Sequence, residues 1–104
     1  MAFRIRSSRL AARQVRNESR WWRRHRTKAP NLFRDELRRA FALIAEYPDA
    51  GPTTDDVDLP GLRRVLLVGT QHYIYYRVNA AERRIEILAI WSTSHGEPPP
   101  IDAG

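Results

Sequence analysis

The sequence contains no cysteine, which excludes a thiol nucleophile, and the candidates for chemistry considered first are arginine, histidine and tyrosine. Four of them can be brought together by the strands predicted below: Arg63, Arg64, Tyr73 and His95. Arginines can hold a phosphate, and a histidine that titrates near neutral pH can act as an acid or a base. Cleavage of RNA through a 2′-hydroxyl needs these groups: a base, an acid and cations around the phosphate. If the chain is an enzyme, these groups are compatible with a metal-independent endoribonuclease.

Each candidate also has a simpler structural interpretation. Arg63 follows a Pro-Gly turn at a strand edge and can form a surface salt bridge with Asp56 or Asp58. His95 can be an exposed residue just beyond a strand. Tyrosines on a strand commonly pack against neighbouring strands. The residue types alone leave it open whether the chain is an enzyme.

Histidine placement argues against a metal site. His25, His72 and His95 fall in different predicted elements, without cysteine and without the HExxH spacing. We therefore expect neither a metal nor a cofactor.

Charge is distributed unevenly along the 104 residues, whose formal net charge is +6. Residues 1–40 carry thirteen basic and three acidic side chains, a net of +10. Residues 41–62 carry five acids and no basic residue, and residues 63–104 have a net of +1. A positive field of this size attracts nucleic acid or an acidic protein.

Apolar periodicity predicts a strand, two helices and then three strands. The first strand covers Phe3–Ser7, and Ser7 or Ser8 can cap a helix over residues 9–28. Asn31 can cap the second helix, which ends at Tyr47-Pro48.

An exposed acidic loop over residues 48–61 leads to the three later strands, predicted at Arg63–Val68, Tyr73–Val78 and Ile85–Trp91. Short turns join them into an antiparallel meander, with the nearly all-apolar last strand at its centre. Residues 96–104, rich in proline, are expected to form an extended and loosely held tail. The predicted fold is α+β with two layers, β-α-α-β-β-β, in which a helical hairpin packs on an antiparallel sheet. Residues 1–104 are expected to form one domain.

Five residues are candidates for binding a partner. Adjacent helical residues point about 100° apart, so Trp21 and Trp22 cannot both enter the core, and one of them is expected to be partly exposed. Two further candidates, Arg13 and Arg20, lie on the same arginine-rich helix, and the fifth is Trp91 at the end of the last strand.

Several segments of the chain resemble the RelE/ParE superfamily of bacterial toxins from type II toxin–antitoxin pairs. The resemblance runs from Phe3 to about Pro99. In the helices the resemblance is carried by Ser8, Ala11 and Trp21-Trp22, and by Phe33, Glu36-Leu37 and Ala40. The segment that ends the second helix is Tyr47-Pro48-Asp49-Ala50-Gly51. In the predicted sheet the matching segments are Gly61-Leu62-Arg63-Arg64-Val65-Leu66-Leu67, Tyr73-Ile74-Tyr75-Tyr76-Arg77-Val78 and Ile85-Glu86-Ile87-Leu88-Ala89-Ile90-Trp91. The tyrosine-rich strand and the terminal tryptophan are most similar to the ParE-like branch. The resemblance implies a growth-inhibiting toxin that an acidic antitoxin, encoded beside it, holds inactive in a hetero-oligomer.

Two mechanisms occur in the superfamily that the chain resembles. RelE-like members are ribosome-dependent endonucleases acting on mRNA, and ParE-like members poison DNA gyrase. Nuclease members commonly place Arg or His near the position of His95, which favours cleavage. They also open the third strand with a Tyr-Arg pair, where this chain has His72-Tyr73, which favours the ParE-like mode.

A third alternative is a non-toxic accessory protein that binds nucleic acid through the arginine-rich first helix. No apolar run approaches the roughly 18–20 residues that span a bilayer, and the N-terminus does not resemble a signal peptide. We therefore expect a cytoplasmic protein without a membrane partner.

Overall fold

The computed structural model describes residues 2–101 and contains two helices packed on a four-stranded sheet. Its elements are β1 (Arg4–Ser7), α1 (Arg9–His25), α2 (Leu32–Glu46), β2 (Arg63–Leu67), β3 (His72–Asn79) and β4 (Arg84–Ser92). This order confirms the predicted α+β fold. Neither of the helices in the described residues is long and apolar enough to cross a membrane.

The sheet has the strand order β1-β4-β3-β2. Strands β2, β3 and β4 form the predicted antiparallel meander, and β4 occupies a central position, as expected. β1 pairs with β4 in parallel, with Ile5 opposite Ile85, so the whole sheet is mixed rather than antiparallel. The chain between β1 and β4 contains α1, α2, β2 and β3, which is long enough for a parallel pair, since parallel neighbours cannot be joined by a hairpin.

The helix ends agree in part with the predicted caps. Ser8 caps α1: its Oγ accepts a hydrogen bond from the backbone N–H of Ala11 at 3.0 Å. Asn31 occupies the N-cap position of α2, but its side chain makes no capping bond. α1 ends at His25, three residues before the predicted end, and the Trp22 indole N–H donates to the Ala29 carbonyl at 2.8 Å. This bond holds the chain where it turns toward α2.

Opposite faces of β3 belong to two apolar clusters. Ile74 and Tyr76 are buried in the main core between helices and sheet, which also contains Phe33, Ile44, Ile85 and Ile87. On the other face, Tyr75 is buried in a smaller cluster with Leu59, Leu62 and Ala89. The tyrosines of β3 are therefore divided between the two faces of the sheet.

The proline-rich segment after β4 has no regular secondary structure up to Ile101. Pro99 is buried, and Ile101 packs against the smaller cluster. As far as Ile101 the tail is therefore held more closely than its composition predicts. The predicted tail residues 102–104 lie outside the described residues.

The Tyr76 hydroxyl fixes the start of the acidic loop. It donates to the Pro48 carbonyl and accepts from the Gly51 N–H, both at 2.8 Å. Burial raises the pKa of Tyr76, so the hydroxyl stays protonated and keeps both bonds. Through these bonds the core of the protein positions the loop that continues to Asp56.

Candidate functional site

A surface cavity of about 300 Å³ lies at one end of the sheet, on the face turned away from the helices. We call it the sheet pocket. Three of the four predicted catalytic residues, Arg64, Tyr73 and His95, are among the residues that line it. Asp56, Tyr75 and Trp91 also line it.

Strand register explains why these side chains meet. Tyr73 stands opposite Leu66 on β2 and opposite Trp91 on β4, so the three lie in one row across the sheet. Arg64 pairs with Tyr75, two residues further along on the same face. From there the Arg64 guanidinium reaches over the Tyr73 ring, 4.0 Å from its centroid.

The acidic loop supplies a carboxylate to this cation. Asp56 forms an ion pair and hydrogen bond with Arg64 and accepts a hydrogen bond from the Tyr75 hydroxyl at 2.8 Å. The Tyr75 hydrogen bond, with smaller contributions from Thr54 and Arg64, holds the pKa of Asp56 below its usual range. Burial raises the pKa of Tyr75, so its hydroxyl remains a donor at neutral pH. The three groups form one hydrogen-bonded unit.

The outer wall of the sheet pocket is aromatic. The His95 ring stacks on the Trp91 ring, with centroids 3.9 Å apart and planes 19° from parallel. The Trp91 indole N–H donates to the Glu97 carbonyl at 3.0 Å, which ties the following segment to β4. His95 itself is exposed. Stacking on Trp91 therefore holds the His95 ring against the wall of the pocket.

The fourth predicted catalytic residue, Arg63, is not in the pocket. Its guanidinium donates to the Gly51 carbonyl at 2.7 Å and, more weakly, to the Asp49 carbonyl at 3.4 Å. Consecutive strand residues face opposite sides of a sheet, so Arg63 and Arg64 cannot act on one ligand from β2. The salt bridge that the sequence suggested for Arg63 with Asp56 belongs instead to Arg64.

Sequence reasoning did not include Asp56 and Tyr75 among the functional candidates. Tyr75 was indistinguishable from a packing residue. The acidic stretch 41–62 was a visible signal for Asp56, but which basic residue it would meet depends on how the loop folds over the sheet.

The electrostatics of the pocket limit its chemistry. Within residues 2–101, Arg64 is the one Arg or Lys that lines the cavity, and its charge is balanced by Asp56. A phosphate entering here would have to displace a carboxylate already hydrogen-bonded to both Arg64 and Tyr75. The arrangement is therefore poorly suited to clamping a scissile phosphate.

The five predicted partner-binding residues do not share one surface. Trp22 packs against the main core and Trp21 is 41% exposed, so the two tryptophans divide as expected. Arg13 and Arg20 are exposed on α1. Trp91 lies in the sheet pocket, on the face of the sheet turned away from the helices.

A second surface feature lies between α1 and α2. Two adjoining cavities of about 440 and 360 Å³ share Val15, Ser19 and Arg34. We call them together the helix groove. Its apolar wall includes Val15, Leu37 and Phe41, and its basic rim consists of Arg16, Arg20, Arg23, Arg34 and Arg38.

Histidine and acidic residues do not converge on a metal position. In the part of the chain that the structure describes, no group of three His, Cys, Asp or Glu side chains could hold a metal ion. His72 is buried, with its Nε2 atom 3.2 Å from a Glu18 carboxylate oxygen and its ring edge against Phe33. It joins α1, α2 and β3, and lies outside the sheet pocket.

Comparison with known proteins gives a family and a fold. Residues 5–96 match the family described as ParE toxin of type II toxin-antitoxin system, parDE. A solved structure titled "Chromosomal ParDE TA system from P. aeruginosa" is similar at a TM-score of 0.67 and 17% identity, covering 88% of this chain and 96% of that chain. A search of curated proteins found no match.

Proposed function

Because the chain belongs to the ParE toxin family of type II toxin–antitoxin systems, we propose that it arrests growth by binding a protein target, DNA gyrase, rather than by cutting RNA. The proposal includes a cytoplasmic location, a single toxin domain and inactivation by an acidic antitoxin.

The ion pair between Arg64 and Asp56 is the observation that carries the choice of mechanism. A nuclease site needs cationic groups that are free to stabilise charge as it develops on the phosphate. In the sheet pocket the available guanidinium is bonded to a carboxylate, and Arg63 faces the other side of the sheet. Protein binding requires no such free cation.

Antitoxin binding is supported by the helix groove. An amphipathic helix docks its apolar face into a groove, and acidic side chains beside that face would meet the basic rim. Val15, Leu37 and Phe41 supply apolar contact, and Arg34 and Arg38 lie on the rim contributed by α2.

Induction of the toxin in growing cells tests the mechanism. We expect growth arrest with induction of the SOS response, and inhibition of supercoiling by purified gyrase. His95→Ala should leave the arrest unchanged, because the proposed activity does not need an acid or base at that position.

An mRNA endonuclease is the second candidate, favoured by the meeting of Arg64, Tyr73 and His95 in one cavity. That function would give cuts in mRNA after induction, and both the cuts and the arrest would disappear in His95→Ala. This result would replace the gyrase proposal.

Paired substitutions on α2 test the helix groove. Arg34 lines the groove and Arg39 is exposed on the same helix outside it. Against the product of the neighbouring small gene at about 150 mM salt, we expect Arg34→Glu to weaken binding by about tenfold or more. Arg39→Glu should change it much less. Equal effects, or failure of the wild-type chain and that product to co-elute, would contradict the assignment.

A further inference from the structure

The outward face of α1 carries a row of arginines that shares only Arg20 with the helix groove. Arg9, Arg13, Arg20 and Arg24 recur at helical spacing, with Asn17 in the row between them. We call these five residues the outer stripe. All five are exposed, and the Arg20 guanidinium donates to the Asn17 side-chain oxygen at 2.8 Å.

Within residues 2–101, no carboxylate forms an ion pair with an arginine of this row. The one acidic residue of α1 is Glu18, and its carboxylate is directed inward to the buried His72. Arginines that do form ion pairs in the described part of the chain include Arg38, Arg64, Arg77 and Arg84, which lie outside α1. The outer stripe therefore presents uncompensated positive charge along the helix.

Part of this charge opposes the stability of the helix. The first turn of α1 contains no acidic residue, and Arg9 is its first residue. A cation at that position is repelled by the positive end of the helix dipole. The helix dipole therefore does not account for an arginine at position 9.

We propose that the outer stripe of α1 binds the phosphate backbone of nucleic acid, a function separate from the proposed inhibition of gyrase. Residues four apart rise about 6 Å along a helix. Two nucleotide steps rise about 6.8 Å along one strand of a duplex. The stripe from Arg9 to Arg24 extends over about 22 Å. Arginines on successive turns of the α-helix can therefore contact phosphates along one strand of the duplex.

The surface chemistry favours a polyanion over a protein helix. An amphipathic antitoxin helix needs apolar contact, which the helix groove provides through Val15, Leu37 and Phe41. The five residues of the outer stripe are all polar or charged. Charge alone is sufficient to bind a phosphate backbone.

An aromatic surface adjoins the C-terminal end of the stripe. Trp21 and His25 stack with centroids 4.6 Å apart, and they line a cavity of about 320 Å³ with Asn17, Arg20 and Arg24. Exposed aromatic rings beside cations are typical of surfaces on which unpaired bases stack. The proposed ligands of the outer stripe therefore include single-stranded as well as double-stranded nucleic acid.

Fluorescence anisotropy of labelled nucleic acid tests the proposal with the purified full-length toxin. The probes are a DNA duplex of about 20 base pairs and an RNA strand of equal length, titrated between about 50 and 300 mM salt. Four phosphate contacts predict a slope of log affinity against log salt of about −3.6 for the duplex. Tighter binding of one probe identifies which nucleic acid is preferred.

A charge-matched pair of variants makes the test specific to the stripe. The test variant combines Arg9→Gln, Arg13→Gln and Arg24→Gln. The control combines Arg4→Gln, Arg6→Gln and Arg39→Gln, three exposed arginines elsewhere. The test variant should reduce the duplex slope by about 2.7 and the affinity at low salt by about tenfold or more, and the control should change both much less.

Three results would overturn the proposal. They are no binding of either probe at low salt, equal loss in the two triple variants, and loss of antitoxin binding alone in the test variant. The last would assign the stripe to a protein partner. Circular dichroism of both variants establishes that they are folded, and failure of gyrase inhibition would leave this result unaffected.

Discussion

The sheet pocket and the outer stripe of α1 both present arginines, but only the arginine of the pocket is paired with a carboxylate in the described structure. Arg64 in the pocket is bonded to Asp56, which in turn accepts from Tyr75. In the stripe, Arg13 and Arg24 have no carboxylate partner among the described residues, and Arg20 bonds only to the neutral Asn17.

This difference separates structural cations from cations available to a partner. A paired arginine must give up its carboxylate before it can bind an external anion, and an unpaired one has only water to lose. The acidic segment 41–62 supplies the compensating carboxylate to the sheet, and among the residues that the structure describes no carboxylate pairs with an arginine of α1. The position of the unpaired arginines therefore indicates where an anionic partner can bind better than the net charge of the protein does.

The largest expected effect comes from disturbing the loop that carries Asp56. In Gly51→Ala, the added Cβ would lie 2.7 Å from the Arg64 carbonyl oxygen and 2.8 Å from the Tyr76 hydroxyl oxygen. We expect a loss of about 2–3 kcal/mol in the free energy of unfolding, measured by urea denaturation. At Gly96 an added Cβ meets nothing within 4 Å. Gly96→Ala should therefore cost less than about 0.5 kcal/mol, and equal losses would contradict this explanation.

A smaller loss in the free energy of unfolding is expected from Asp56→Asn. This substitution removes the carboxylate that pairs with Arg64, so that Arg64, like the arginines of the stripe, has no ion-pair partner. The pair is partly exposed, so we expect a loss of about 0.5–1 kcal/mol near neutral pH. Asp55→Asn removes the adjacent exposed carboxylate and should change stability by less.

The pH dependence of this difference follows from the lowered pKa of Asp56. The pKa of Asp56 is lower in the folded protein than in the unfolded chain, where it has the ordinary value of 3.8. The ionised carboxylate therefore stabilises the folded protein at pH values above 3.8, and this stabilisation is lost as the pH falls through the pKa of the folded state. The stability difference between wild type and Asp56→Asn should thus be full near neutral pH and shrink below about pH 4. A difference that grows on acidification would show that the ion pair is not its source.

The smallest change in stability is expected within the stripe, where substitutions at its two ends should have opposite signs. Arg9→Gln removes a cation from the N-terminal turn of α1 and should raise stability by about 0.3 kcal/mol. Arg24→Gln removes one from the C-terminal turn, where the dipole favours it, and should lower stability by a similar amount. Thermal unfolding of both variants at low salt measures the contrast. Destabilisation by Arg9→Gln would indicate that Arg9 has a stabilising contact and belongs with the paired arginines.

The elements and their order were predictable because hydrophobic periodicity and turn residues are local signals. The strands of the meander begin and end within one residue of their predicted limits, and Ser8 caps α1 as expected. The parallel pairing of β1 with β4 was not predictable in this way. Both helices and two strands separate β1 from β4 in the sequence, so their pairing is a property of the whole fold.

The sequence by itself determined the family, the element order and the concentration of positive charge in the first forty residues. Tertiary structure decided which arginine has a partner. Strand alternation turns Arg63 and Arg64 to opposite faces, and a loop held by Tyr76 brings Asp56 to only one of them. Helical periodicity turns Glu18 inward to His72 and leaves the arginines of the stripe outside. Compensation of charge depends on distances of a few ångströms between residues far apart in the chain, and sequence spacing does not specify those distances.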